Sequence, residues 1–368
     1  MEATHSVQLT TTERWLVAAR RAGTHSLVGL PPIIIAFLAF VSIRKGSVSL
    51  DLAHAYIPAA HRVLHGLSPY PPATLAALAP HDAFVYPPVT AWLVVPFTVL
   101  PIHVAEAVGF ALGIGAVAGL LWLLGVRDWR CYMIAYLWVP TYSAIQTANV
   151  SLALSVGIAA FWRYRSRPVV SAILMGLLVA IKLYVWPLGI WLLATRRYRV
   201  ATSAAITGAL LVIVSWIPIS FAGLRGYPHL LHLLTQVERA DGYTISALLA
   251  PGVVSWGVAN VVAYAGGLAV LIYAWRSAHG GDERLGFVYA IAAMLMLTPI
   301  VSMNYFVVLL VVIALYSPTF SWIWTLPLAL WVAHQVSNGQ PWQLAAALVC
   351  VGATIVAAPR LAQAPATR

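Results

Sequence analysis

Asp51 is the residue whose placement most suggests chemistry. It enters the stretch SLDLAHAYIPAAHRVLHGLSPYPP, which starts at Ser49 and follows a run of apolar residues. Only 10 of the 368 residues are acidic, so an acid set at the mouth of an apolar segment needs a reason. A lone carboxylate at a membrane–water boundary can take a proton from a hydroxyl. It can also cap a helix by accepting from free first-turn amides, and the two roles are compatible. At 100° per residue, Leu52, Tyr56, Ala59, Ala60 and Val63 form an apolar stripe, and His54, His61 and His65 fall together on another. Pro58 cannot donate to the carbonyl of His54, so the segment reads as an amphipathic interfacial helix with a bend. The histidine spacing invites a metal, but histidines on a polar face are usually only polar, and no carboxylate support is visible. No metal is assigned.

Four further spots are polar in oily surroundings: Gln146 and Asn149 in SAIQTANVSLAL, Lys182 in VAIKLYVWP, the group Glu238, Arg239 and Asp241, and Asn304 in TPIVSMNYF. Ionisable groups inside a membrane are expensive and mark functional candidates. Each also has a plain reading. Gln146 and Asn149 can hydrogen-bond between helices, Lys182 can extend toward headgroups, and Glu238 with Arg239 reads better as a solvated pair.

The elements that must position these groups are helices in lipid. Hydrophobic residues make up 61% of the chain and charged ones 8%, against roughly 25% charged in soluble domains. Long apolar runs with no barrel-like alternation predict an all-α polytopic membrane protein of about 11–13 transmembrane helices. The net charge of +11 comes from short clusters at Arg20–Arg21, Arg127–Arg130, Arg163–Arg167 and Arg196–Arg199, a positive-inside pattern rather than a nucleic-acid surface. Cys131 and Cys350 lie in or beside apolar segments and suggest neither a disulfide nor a zinc site.

The expected organisation is a polar cytoplasmic segment over residues 1–26, one membrane domain over 27–358 and a polar tail over 359–368. Within the domain, residues 50–86 form the first extracytoplasmic loop and 223–249 a second interfacial loop. Val169–Ala194 contains Lys182 near its middle and is flanked by two basic clusters. Either it goes out and returns, with Lys182 at the apex, or it is one long tilted helix; the bent pair is preferred because it gives the lysine a place.

Together these residues describe a physical possibility. The carboxylate would take a hydroxyl proton, the lysine would neutralise phosphate as a point charge, and amides and tyrosines would hydrogen-bond a sugar beside a lipid tail. Composition alone does not separate sugar transfer from lipid transport, although a transporter should show inverted repeats, and none is visible.

Several stretches carry a resemblance, in order: DLAHAYIPAAHRVLHGLSPYPP, FVYPPVTAWLVVPFTVLP, GVRDWRCYMIAYLWVPTYSAIQTANVSLAL, RYRSRPVVSAILMGLLVAIKLYVWPLGIWLLATRRYR and LTPIVSMNYFVVLL. From about Leu50 to Leu310 the chain resembles glycosyltransferase family 87, polyprenyl-phosphate-sugar-dependent membrane enzymes with the GT-C-type fold. The resemblance implies Asp51 as the catalytic base in the first extracytoplasmic loop, an inverting single displacement, and a multi-pass enzyme of the cell membrane with its site outside. It also implies that Lys182, Gln146, Asn149 and Tyr86 contact substrate; His54, Tyr56 and Asn304 are further candidates for substrate contact. The donor would be a polyprenyl-phosphate sugar, mannose being favoured, the acceptor a glycolipid or polysaccharide hydroxyl, and no cofactor is assigned. One departure stands out: family members commonly carry histidine where this chain has Asn304, which hydrogen-bonds but neither titrates nor offers a cation. A lipid transporter or a catalytically inactive relative is the alternative.

Overall fold

The computed structural model describes residues 32–363 apart from 45, 47, 81, 251 and 334–337. The expected segment over residues 1–26 lies outside them. The described residues are helical, with no strand among them. In chain order, α1 is Pro32–Arg44. A π-helical turn, Asp51–Tyr56, runs into α2 (Ile57–Leu64), followed by α3 (Leu75–Leu78), α4 (Pro88–Val94) and α5 (Ile102–Leu123). Then come α6 (Trp129–Tyr136), α7 (Val139–Thr147), α8 (Val150–Arg163), α9 (Pro168–Ile181), α10 (Pro187–Ala194) and α11 (Tyr198–Trp216). The rest are α12 (Tyr227–Glu238), α13 (Ile245–Leu249), α14 (Trp256–His279), α15 (Glu283–Met296), α16 (Leu309–Tyr316) and α17 (Pro341–Gln363). The chain is a polytopic all-α membrane protein.

Four helical segments are long and apolar enough to cross a bilayer unbroken: Ile102–Leu123, Tyr198–Ile219, Trp256–His279 and Pro341–Arg360. Other apolar runs are divided. Val139–Thr147 and Val150–Arg163 meet at 115°, across Ala148 with φ 51°. Breaks free backbone groups that lipid cannot satisfy, and indole N–H groups reach several of them. Trp331 donates to the carbonyl of Leu137 at the end of α6 (2.8 Å), and Trp138 to that of Trp324 in the 3₁₀ segment Trp322–Val332 (2.9 Å). The helix α17 continues through Pro359 to Gln363, five residues into the expected polar tail.

The segment around Lys182 is the bent pair. The helix α9 ends at Ile181, Lys182 is extended (φ −153°, ψ 113°), and a 3₁₀ turn at Leu183–Val185 leads into α10. The far ends meet, because Arg197 Nη1 donates to the carbonyl of Arg165 (3.4 Å). Both basic clusters therefore share one side and Lys182 lies at the opposite end. Close packing fixes α9 against α11: a Cβ on Gly176 would lie 2.7 Å from Thr207 Cβ and 2.8 Å from the carbonyl of Ala204. Small residues let helix backbones approach in lipid, where there is little hydrophobic drive to hold them together.

The buried apolar residues form two clusters. A large one runs through α5–α10 and α14–α17. A smaller one joins Leu52, Tyr56, Val63, Tyr70 and Phe84 to Trp216 and Leu230, so the first loop folds into its own core over the ends of α11 and α12.

Candidate active site

The stripe expected on the first-loop helix is the buried one: Leu52, Tyr56, Ala59, Ala60 and Val63 are all buried, whereas His54, His61 and His65 are exposed. The bend at Pro58 takes the form of a switch from π-helix to α-helix, because the proline cannot supply the N–H that a continuous α-ladder needs. Asp51 does not cap this helix. The preceding position is Leu50, and no side-chain cap bond forms.

Instead, the Asp51 carboxylate accepts a hydrogen bond from the side-chain amide of Asn149. Asn149 is the N-cap of α8, its Oδ1 accepting from the Ser151 N–H at 2.8 Å. That bond fixes the amide's orientation and turns its NH₂ toward Asp51. The break after α7 therefore has a local purpose, to bring a capping side chain onto an acid 98 residues away. Burial pushes the Asp51 carboxyl above the usual carboxylate range, while the Asn149 hydrogen bond and the charge of Lys182 act against that rise.

Asp51 opens into a cavity of about 440 Å³, lined also by Tyr56, Tyr86, Asn149, Asn304 and Tyr305. The wall is tied together by hydroxyls: Tyr56 donates to Tyr86 at 3.4 Å and accepts from the N–H of Val150 at 3.3 Å. Asn304 is buried, and its side-chain oxygen has no hydrogen-bond partner among the described residues. Lys182 stands one hydrogen bond behind the wall. Its ammonium donates to the Tyr305 hydroxyl and sits 3.7 Å from that ring's centre, with Tyr86 and Tyr184 each 5.2 Å away.

Two expected residues are not brought in. His54 is exposed and does not line the cavity, and Gln146 does not line it either, its carbonyl accepting from the N–H of Ser49 at 2.5 Å. Three acids that sequence reasoning did not assign to the site do line it: Asp82, Glu238 and Asp241. Glu238 and Arg239, read as a solvated pair, turn apart; Arg239 packs over Trp256, 4.8 Å from its ring centre. Spacing held part of this signal, since Leu234, Glu238 and Asp241 recur at i, i+4 and i+7, one face of a helix. Among the described residues, no three His, Cys, Asp or Glu side chains converge closely enough to hold a metal ion.

A second cavity of about 260 Å³ borders the first and shares Tyr56 and Asn149 with it. Its walls are apolar, with Leu52, Leu93, Phe97 and Leu112 among them. A polar, acid-lined chamber thus borders an oily one at Tyr56 and at Asn149, the residue that holds Asp51.

The family model of glycosyltransferase family 87 matches residues 84–302. The chain belongs to that family. Tyr86, Asn149, Lys182 and Glu238 of this family 87 chain fall within the match, whereas Asp51, Tyr56 and Asn304 fall outside it. The chain is also 27% identical over 287 residues to a polyprenol-phosphate-mannose-dependent alpha-(1-2)-phosphatidylinositol pentamannoside mannosyltransferase of Mycolicibacterium smegmatis. That alignment covers 68% of this chain and 61% of the relative, so the chain matches about three fifths of the relative's length. No solved structure matches the chain.

Proposed function

We propose that this protein transfers a sugar, with mannose favoured, from a polyprenyl-phosphate donor to a hydroxyl of a glycolipid or glycan. The observation that carries the reading is the half-buried Asp51 carboxylate in a polar cavity, held by Asn149, which also lines an apolar one. The oily cavity suits the first units of a prenyl chain, and the polar one suits sugar hydroxyls, which donate to carboxylates and amides. The relative's name specifies dependence on polyprenol-phosphate-mannose and a phosphatidylinositol pentamannoside, a glycolipid, which supports the same substrate class here.

In the proposed step the Asp51 carboxylate takes the proton of the acceptor hydroxyl. The hydroxyl oxygen forms its bond to the anomeric carbon as the bond from that carbon to the phosphate oxygen breaks, inverting the centre and releasing polyprenyl phosphate. Asn149 holds the base in place. Lys182, behind Tyr305, stabilises the negative charge that grows on the leaving phosphate, through a wall of tyrosine hydroxyls and rings. Tyr56, Tyr86 and Asn304 orient the sugars. A carboxylate raised by burial is a better proton acceptor than a solvated one, provided it stays ionised at working pH. The clusters Arg163–Arg167 and Arg196–Arg199 lie at the other end of α9 from Lys182, which supports an extracytoplasmic site under the positive-inside rule.

Purified protein and a radiolabelled polyprenyl-phosphate sugar test the reading. Asp51→Asn, close in shape, is expected to abolish transfer while the thermal melting profile stays near that of the parent; unchanged transfer would remove Asp51 as the base.

A further inference from the structure

The end of the molecule opposite Asp51 holds a cavity of about 550 Å³ whose lining includes Arg165, Ser166, Arg196, Arg197 and Arg199. It lies where α9 and α11 begin and α10 ends. The 14 residues of α9 separate it from Lys182 by about 21 Å at 1.5 Å per residue.

Its four arginines are not equivalent. Arg197 donates to both oxygens of Glu283, at 3.0 and 2.8 Å. The side chain of Arg165 donates to the carbonyl of Trp162 at 2.8 Å, lies 4.0 Å from that indole's centre, and comes within 3.8 Å of Glu283. These two are anchored. Arg196 and Arg199 are exposed, and neither has an ion pair among the described residues. Glu283 thus engages two of the four guanidinium groups, and the other two leave a positive excess. Arg196 also holds a left-handed backbone (φ 59°), a conformation that glycine or asparagine adopts more easily.

The backbone adds to the same sign. Neither α9 nor α11 has a side-chain cap at its start, so first-turn amides and the positive ends of two helix dipoles face this region. Guanidinium groups match phosphate oxygens in fork geometry. With one glutamate already engaged, an anion is the ligand that completes the charge.

We propose that this cavity is a phosphate site, taking the phosphate of an anionic lipid headgroup at the membrane surface or the same group in solution. It does not depend on the glycosyl-transfer reading, because it lies at the other end of α9 and shares no lining residue with the Asp51 cavity.

The test uses the full chain in detergent. Native mass spectrometry follows retention of phosphatidylglycerol against phosphatidylcholine, and thermal melting follows inorganic phosphate at constant ionic strength. The variant is Arg196→Asn with Arg199→Gln, in which asparagine suits the positive φ and the anchored arginines remain. The parent is expected to retain phosphatidylglycerol about tenfold better than phosphatidylcholine, and the variant to lose that preference. Stabilisation of the parent by inorganic phosphate, absent in the variant and without lipid preference, would support the site with a soluble ligand. Equal retention of both lipids by the parent with no phosphate response would overturn the proposal, as would a variant that behaves like the parent. Should the double variant melt early, Arg199→Gln alone changes one exposed side chain and is expected to lose about half of the preference.

Discussion

At one end of α9 a carboxylate, Asp51, is held by a neutral amide beside a wall of tyrosines, and the nearby cation, Lys182, donates to Tyr305. At the other end four arginines line an exposed hollow, and two of them pair with Glu283. Both ends concentrate charge, but by different means. The enclosed end satisfies its ionisable groups with neutral hydrogen-bond partners, and burial leaves the Asp51 carboxyl raised. The exposed end relies on solvent, rings and ion pairs, and two of its arginines have no ion pair among the described residues. The difference is that burial shifts a group's proton affinity, whereas exposure leaves its charge available to solvent.

The largest effect is expected from Asp51→Asn, which removes proton acceptance while keeping shape. Transfer from a labelled polyprenyl-phosphate sugar should fall about 10²–10⁴-fold, the usual range for general-base catalysis. Next comes Gly176→Val, aimed at the packing that holds the two ends apart. The added carbons meet Thr207 and the carbonyl of Ala204, and overpacking of this kind costs about 1–3 kcal/mol. A lower melting temperature together with weaker transfer checks it, and an unchanged melting curve would show that α9 and α11 are not so closely packed.

Asn149→Ala tests the amide on the base. A hydrogen bond to a charged group contributes about 1.5–3 kcal/mol, so transfer should drop about ten- to hundredfold. The pH profile gives the sharper reading. The amide lowers the Asp51 pKa, so its loss should move the acid limb of the rate profile upward. In the parent that limb should already lie above the ordinary carboxylate range, with activity lost as pH falls through it. A limb that stays fixed in the variant would deny the contact.

The smallest effect belongs to the basic end. Asp128 caps α6, pairs with Arg130 at 2.7 Å and accepts from the N–H of Phe320 at 3.0 Å. Its hydrogen bonds with Arg130 are the main cause of a pKa lowered to about 2. A depressed folded pKa contributes stability above the ordinary carboxylate range, and that contribution fades as pH falls toward about 2. Asp128→Asn should therefore cost about 1 kcal/mol near neutral pH, and the difference from the parent should shrink in acid, as read by melting temperature against pH.

Much of the buried end was legible in the chain. Asp51 stood out because acids are scarce and it follows an apolar run, and the stripe of Leu52, Tyr56 and Val63 followed from helical spacing. Lys182 at an apex followed from two basic clusters that needed the same side. The acids Asp82, Glu238 and Asp241 were missed because they lie in two loops about 150 residues apart, and no local pattern reports which loops meet. Glu238 and Arg239 were paired on paper because they are neighbours, yet adjacent residues on a helix end diverge by about 100°. What stayed hidden at the breaks were the indole donors that make them tolerable in lipid, since hydropathy does not register side-chain N–H groups.

The sequence by itself determined that the chain is helical, lives in a bilayer, gathers positive charge into short clusters and carries a lone acid at an apolar boundary, because those properties depend on local composition and spacing. Only the tertiary structure decided that Asn149 holds that acid, that an oily cavity opens beside it, and that four arginines from two separated loops share one hollow. Such arrangements depend on where helices stop and which ends come together, and in lipid that is set by packing of small residues and by long-range satisfaction of backbone groups.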